Sequence, residues 1–201
     1  MELFHSSGTV AVASLIALHE ADLPFTATAV DFTTAEQRGA PYLRTNPKGR
    51  VPALVCDHGI LTETPAILAY IATLAPARNL APSDPFEYAK MQEFHSYLAS
   101  TVHVNHSHRM RGPRWASAQS SFDDMASKVA QNMTECFELI QSEYLKGPWV
   151  MGDQYTVADA YLFTVTNWLK GDGVDVNTLP RIAEHFAAMH ARPAVQKALS
   201  Y

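Results

Sequence analysis

The sequence predicts a chain of two unlike parts, an α/β unit of order βαβ…ββα followed by an all-α unit. Three observations predict it. Up to about residue 74, short β-branched or aromatic runs alternate with a helical pattern and turn signals. Residues 75–85 then carry three prolines and no periodicity. Beyond them every apolar pattern has the helical period. With 201 residues, 47% of them hydrophobic, the chain can fill one large or two small cores. The boundaries that follow are 1–76 for the first unit, 77–85 for a linker and 86–201 for the second.

Each element has its own signal. Glu2, Leu3, Phe4 and His5 make a short strand, ended by Ser6, Ser7 and Gly8. Residues 10–21 place Val12, Leu15, Ile16 and Leu18 at helical spacing, and Leu23-Pro24 closes that helix. Residues 26–32 are rich in β-branched and aromatic types, which completes a βαβ unit. Residues 52–56 and 60–62 flank the turn Asp57-His58-Gly59 as a hairpin. Thr64 is a suitable N-cap with Pro65 at the first helical position, opening a helix to about Leu74. Further helices are expected over 86–109, 122–145, 157–169, 179–191 and 194–199, with Lys146-Gly147-Pro148 stopping the second. Thr156 with Asp159 three residues on reads as a capping box, and Tyr155 stands where a hydrophobic staple would begin.

Composition excludes several classes of function. A net charge of −5 argues against nucleic acid as the principal partner. Charged residues make up 17%, below the usual roughly 25%, as suits a chain that buries much of itself, for example in a homodimer. No apolar run reaches the roughly 18 residues of a membrane span. The start, Met1-Glu2-Leu3-Phe4-His5, lacks the basic residues and apolar core of a signal peptide. Cys56 and Cys136 lie far apart with no C-x-x-C pair, which fits a reducing cytoplasm and excludes a dithiol mechanism.

The most informative stretch runs from Asn46 to Leu54 and on through Leu61 to Leu68. Pro52 at the start of a strand leaves backbone groups of Val51 unpaired and open to an extended ligand. The helix mouth at Glu63-Thr64 offers a carboxylate for an ammonium group and unpaired N–H groups for a carboxylate. Together they describe a pocket for a peptide-like molecule with a free amino-acid end.

This segment resembles the glutathione-binding half of the cytosolic glutathione transferases. The βαβ…ββα order is similar to the thioredoxin fold, and the resemblance extends over essentially the full length, to a helical-bundle C-terminal domain. It implies that Val51 pairs its backbone with the cysteinyl part of glutathione beside a cis Pro52. It implies also that Glu63 and Thr64 hold the γ-glutamyl end. Lys48 and Arg50 are candidates for a glutathione carboxylate; the plainer reading of both is a solvated surface cation.

Such an enzyme must ionise a thiol. Free glutathione titrating near 8.5 is only about 3% thiolate at neutral pH, and a downward shift of about two units would make most of it nucleophilic. The N-terminus resembles the bacterial beta class most closely, a branch that places a cysteine where this chain has Val10; other branches place a serine there. The expected substitutes are the Thr9 hydroxyl with the Val10 amide, then Ser7, against a plainer reading in which Ser7 or Thr9 only caps the helix. His103 falls on the histidine that beta-class enzymes bring towards the sulfur, followed here by Val104 in place of a lysine. Ser100 is expected to reach the glutathione of a neighbouring subunit. His103 and His106 could share one helix face, but no carboxylate or thiolate lies near them in sequence, so no metal is expected. Met110, Trp115 and Trp168 are candidates to line an acceptor pocket between the units.

The reaction so implied is attack of glutathione thiolate, a cosubstrate, on a small apolar electrophile, by a cytoplasmic homodimer needing no metal, nucleotide or flavin. Glutathione-dependent isomerisation or peroxide reduction are alternatives on the same scaffold. So is a non-catalytic glutathione-binding or regulatory protein, an alternative that Val10 keeps open.

Overall fold

The computed structural model describes residues 1–201. Strand β1 (Glu2–His5), helix α1 (Ala11–Glu20) and strand β2 (Thr26–Ala29) form the βαβ unit, with β1 and β2 parallel and Glu2 opposite Thr26. Strands β3 (Ala53–Cys56) and β4 (Gly59–Thr62) form the hairpin, and β3 runs antiparallel to β1. The sheet order is β2-β1-β3-β4. β2 stops at Ala29 instead of continuing to Phe32, because Asp31 turns the chain: its Oδ1 accepts from both the N–H and the hydroxyl of Thr33.

Residues 36–45 hold structure that the sequence did not announce, a 3-10 turn at Glu36–Arg38 and helix α2 (Ala40–Thr45). Six residues are too few to show a helical period or to stand without tertiary support. The support is Tyr42, buried with Ala11, Val30 and Val51 in a small cluster of its own. That cluster holds the loop from Glu36 to Val51 against the sheet.

Helix α3 (Thr64–Leu74) has Pro65 in its first turn, but Thr64 is not its cap. Glu63 occupies the cap position at φ +72° and no side chain caps the helix. A glutamate in that region of backbone space is uncommon. It puts Thr64 inside the helix, buried, and leaves the first-turn N–H groups open.

After a 3-10 turn at Pro76–Arg78, helix α4 (Pro85–Tyr97) starts on Asp84, whose carboxylate accepts from the N–H groups of Phe86 and Glu87. A π-helical turn at Leu98–Val102 carries it directly into α5 (His103–His108). The helix expected over 122–145 is two, α6 (Gln119–Ser127) and α7 (Val129–Leu139), with a second π turn at Ile140–Tyr144. No glycine or proline marks the break at Lys128. Helices α8 (Val157–Thr166), α9 (Pro180–His190) and α10 (Pro193–Leu199) complete the chain.

Helix α1 explains how the two parts meet. Every residue from Ala11 to Leu18 is buried, so it is covered all round, as an apolar helix without a polar face must be. Its neighbours are α3 from the first part and α8 and α10 from the second. One cluster of 41 buried residues therefore runs through both parts, and the linker does not divide the core. Arg192, just before α10, adds a two-pronged ion pair to Glu20 (2.6 and 2.9 Å) and lies 4.0 Å above the Tyr155 ring centroid. The capping box forms as expected: Thr156 Oγ1 accepts from the Ala158 N–H, and Asp159 accepts from the Thr156 N–H at 2.7 Å. Buried Asp159 also accepts from the Val150 N–H at 2.7 Å and bonds His185 Nε2 at 3.0 Å. No helix is long and apolar enough to cross a membrane.

Candidate active site

Two cavities open where the β1–α1 loop, the Val51 loop and helix α5 converge. The larger measures about 730 Å³ and the smaller about 280 Å³. Val10, Arg50, Val51, His103 and Arg114 line both, so the two form one cleft.

The smaller end gathers Val51, Pro52, Glu63 and Thr64. The Val51–Pro52 peptide bond is cis. The N–H and carbonyl of Val51 pair with no other backbone group. The preceding carbonyl, that of Arg50, is held twice, by the Tyr42 hydroxyl and by Asn46 Nδ2, each at 2.6 Å. Tyr42 is itself fixed in the small cluster, so the edge that Val51 presents is set from below. Gly49 at φ +61° lies so close to the Gln37 carbonyl that an added Cβ would sit 2.9 Å from it. Only glycine lets the loop close there.

At the helix mouth Glu63 is 61% exposed at its side chain and pairs with Lys48 Nζ, which also donates to Thr62 Oγ1 at 2.6 Å. Lys48, proposed for a ligand carboxylate, is thus drawn to an acidic neighbour and lines neither cavity. Arg50 lines both and has no carboxylate partner.

At the start of α1 the expected order of hydroxyls changes. Thr9 Oγ1 donates to the Ser6 carbonyl at 2.7 Å and accepts from the Ala11 N–H at 3.3 Å. Its proton is committed and it acts as a helix cap, the plainer of its two readings. Ser7 is exposed, lines the larger cavity and makes no hydrogen bond within the chain. The Val10 N–H likewise has no partner and points from the first turn of a helix. The loop is pinned from the opposite half: Trp168 Nε1 donates to the Gly8 carbonyl at 3.1 Å.

His103 lines both ends of the cleft and packs against Trp168, ring centroids 5.0 Å apart. Burial first, then the positive neighbours His106, Arg111, Arg114 and Arg50, push its pKa down to about 4. It is a neutral imidazole at neutral pH, with one N–H to donate. His106 stacks on Trp168 at 4.2 Å and engages Asp172 through Nδ1 at 2.8 Å. The sequence hid this partner: a carboxylate 66 positions away does lie beside the histidines. It is shared with Arg109 Nε at 3.2 Å, and no three His, Cys, Asp or Glu side chains gather into a metal-holding group. Ser100 is exposed, outside both cavities, and donates to the Ser96 carbonyl at 2.8 Å.

Of the candidate lining residues, Met110 and Trp168 face the larger cavity and Trp115 the smaller. The rest of the lining mixes apolar side chains, among them Val10, Phe32 and Val51, with cations. Arg38, Arg50, Arg109, Arg111 and Arg114 all border the larger cavity. Sequence reasoning assigned no role to Arg38, Arg111 or Arg114; the only signal was the arginine density of 109–114.

A thioredoxin-like sheet, an all-α partner and a cleft with an open backbone edge and an acidic helix mouth define a class of thiol-peptide-binding proteins. Comparison with known proteins gives the family. The family models for the glutathione S-transferase N-terminal and C-terminal domains match residues 1–73 and 109–196. The glutathione S-transferase GstA of Escherichia coli O157:H7 is 34% identical over 100% of this chain and 98% of its own. A solved glutathione transferase homologue from Sulfitobacter, with bound glutathione, superposes with a TM-score of 0.96 at 48% identity, covering 99% of this chain and 96% of that one. A bacterial beta-class glutathione S-transferase from Sphingomonas chungbukensis gives 0.87 at 32% identity, covering 100% and 98%. The chain belongs to the glutathione S-transferase family.

Proposed function

We propose that this chain binds glutathione in the smaller end of the cleft and transfers its thiolate to a small electrophile held in the larger end. The observation that carries the reading is the continuity of the cleft, from the open backbone of Val51 and the uncapped mouth of α3 to the open N–H of Val10. The Val51 N–H and carbonyl pair with the cysteinyl backbone in the manner of an added strand. Glu63 takes the ammonium group from Lys48, and Thr64 with the first-turn N–H groups of α3 takes the γ-glutamyl carboxylate. Arg50 is placed for the remaining carboxylate. Solved relatives that carry bound glutathione support glutathione as the ligand.

The thiol then lies near the start of α1. Its proton leaves to solvent, and the sulfur's negative charge is met by the Val10 N–H, the Ser7 hydroxyl and the neutral N–H of His103. Thr9 keeps the loop shape. Three dipoles stand where related branches use one cysteine or serine. We place the division of labour at 1–76 and 86–201, joined by 77–85, and we place the protein in the cytoplasm as a homodimer, in which Ser100 faces a neighbouring subunit's ligand.

Calorimetric titration with glutathione tests the binding half of this reading. Glu63→Gln should weaken binding by about tenfold or more, the worth of one charge-assisted bond. Equal affinity in the variant would move the γ-glutamyl end elsewhere.

A further inference from the structure

The larger end of the cleft is a cation pocket with no anion in it. Its border includes Arg38, Arg50, Arg109, Arg111, Arg114 and His103, and no aspartate or glutamate. Only Arg109 has a carboxylate partner, Asp172. Acids on the surrounding elements are already engaged: Asp172 with His106 and Arg109, Glu63 with Lys48, and Asp31 and Glu36 with hydrogen bonds inside their own turn. Four unpaired guanidinium groups around one opening are unusual for a chain of net charge −5. Scattered surface arginines would be spread among acids and solvated singly. These instead feel one another: burial first, then Arg111, Arg50 and Arg38, hold the Arg114 pKa down to about 10. Burial, then Arg50 and Arg38, lowers that of Arg111. An anion bound among them would relieve that repulsion, and a cleft lined by one sign of charge concentrates ligands of the other.

Glutathione accounts for part of this charge. Arg50 lines both ends and is assigned above to a glutathione carboxylate. Arg38 and Arg111 line the larger end alone, on two elements that face each other, the 3-10 turn before α2 and the loop after α5.

We infer that the acceptor is an anionic electrophile, a small molecule whose carboxylate is held between Arg38 and Arg111 while its reactive carbon faces the sulfur. The inference rests on the glutathione-transfer reading. It replaces the small apolar electrophile expected from the sequence, since Met110 and Trp168 give an aromatic probe something to lie on but the cations set its charge. For an aryl chloride the step is substitution: the thiol proton goes to solvent and the thiolate forms a C–S bond at the ring carbon. The C–Cl bond then breaks and chloride leaves with the bonding pair.

The test compares 4-chloro-3-nitrobenzoate with its neutral methyl ester at saturating glutathione, each kcat/KM divided by that compound's own uncatalysed rate with glutathione. The acid should be favoured by about tenfold or more in low salt, the worth of one good guanidinium–carboxylate pair, and the preference should shrink severalfold at about 0.5 M salt. In Arg38→Ala/Arg111→Ala the ratio should fall below about twofold; both substrates are measured on one preparation, so partial misfolding cancels from it. Turnover of the ester at least as efficient as that of the acid would overturn the inference and leave the transferase reading standing. A preference that survives loss of both arginines, or calorimetry showing two glutathione molecules per chain, would also overturn it. Failure of both electrophiles to react would instead overturn the transferase reading beneath it.

Discussion

Position 10 is valine, and the consequence is worked out among the atoms around it. An aliphatic side chain supplies no hydrogen bond, yet its own N–H begins a helix and has no partner. Two hydroxyls precede it in the same loop, and hydrogen bonding separates them. Thr9 gives its proton to the Ser6 carbonyl; Ser7 gives its proton to nothing in the chain. Ser7→Ala should therefore raise the pKa of bound glutathione by about one unit and lower kcat/KM with 1-chloro-2,4-dinitrobenzene about threefold at pH 7, the loss growing towards tenfold as the pH falls below about 6. Thr9→Val should leave that pKa in place and show itself as about 1 kcal/mol of lost stability in a thermal melt, the usual worth of a cap. The reverse pattern would return the sulfur donor to Thr9. The sequence favoured Thr9 because nothing in it says which of two neighbouring hydroxyls the Ser6 carbonyl claims. That Val51, Pro52, Glu63 and Thr64 gather at one end of the cleft was legible because the grouping depends on local backbone. Arg38 and Arg111 were not, since their meeting depends on how two loops fold over one opening.

At the scale of elements, the Thr156–Asp159 box does more than begin α8. Buried Asp159 accepts from the Thr156 and Val150 N–H groups and bonds His185 of α9, so one carboxylate ties a helix start, the loop before it and a second helix. Asp159→Ala would orphan all three partners, and each buried group left unpaired costs about 1–3 kcal/mol. A loss of about 3 kcal/mol or more in chemical denaturation is expected, and a loss under about 1 kcal/mol would show that water replaces the carboxylate without penalty. The box itself was readable from two residues three apart; the His185 and Val150 contacts were not, being tertiary. Helix α2 escaped notice for the opposite reason, a stretch too short for periodicity and held by the burial of Tyr42 alone. The break at Lys128 has no proline or glycine to announce it, and the π turn before His103 is invisible to a pattern of period 3.6.

For the whole molecule, the cleft exists because an apolar helix of the first half, α1, is buried by helices of the second. The same junction sets the site: Trp168 of the second half holds the Gly8 carbonyl of the first, and His103 enters beside it. One half supplies the backbone edge and the helix start, and the other the neutral histidine and most of the cations. The central claim is that this composite site ionises a thiol without the cysteine or serine that related branches place at position 10. The direct measurement is the ultraviolet absorbance of thiolate on the glutathione-saturated protein, followed as pH is varied. A bound thiol titrating about two units below the free value, half ionised near pH 6.5, is the predicted result. Saturation with glutathione and a thiol still titrating near 8.5 would contradict it and leave a protein that recognises glutathione without activating it.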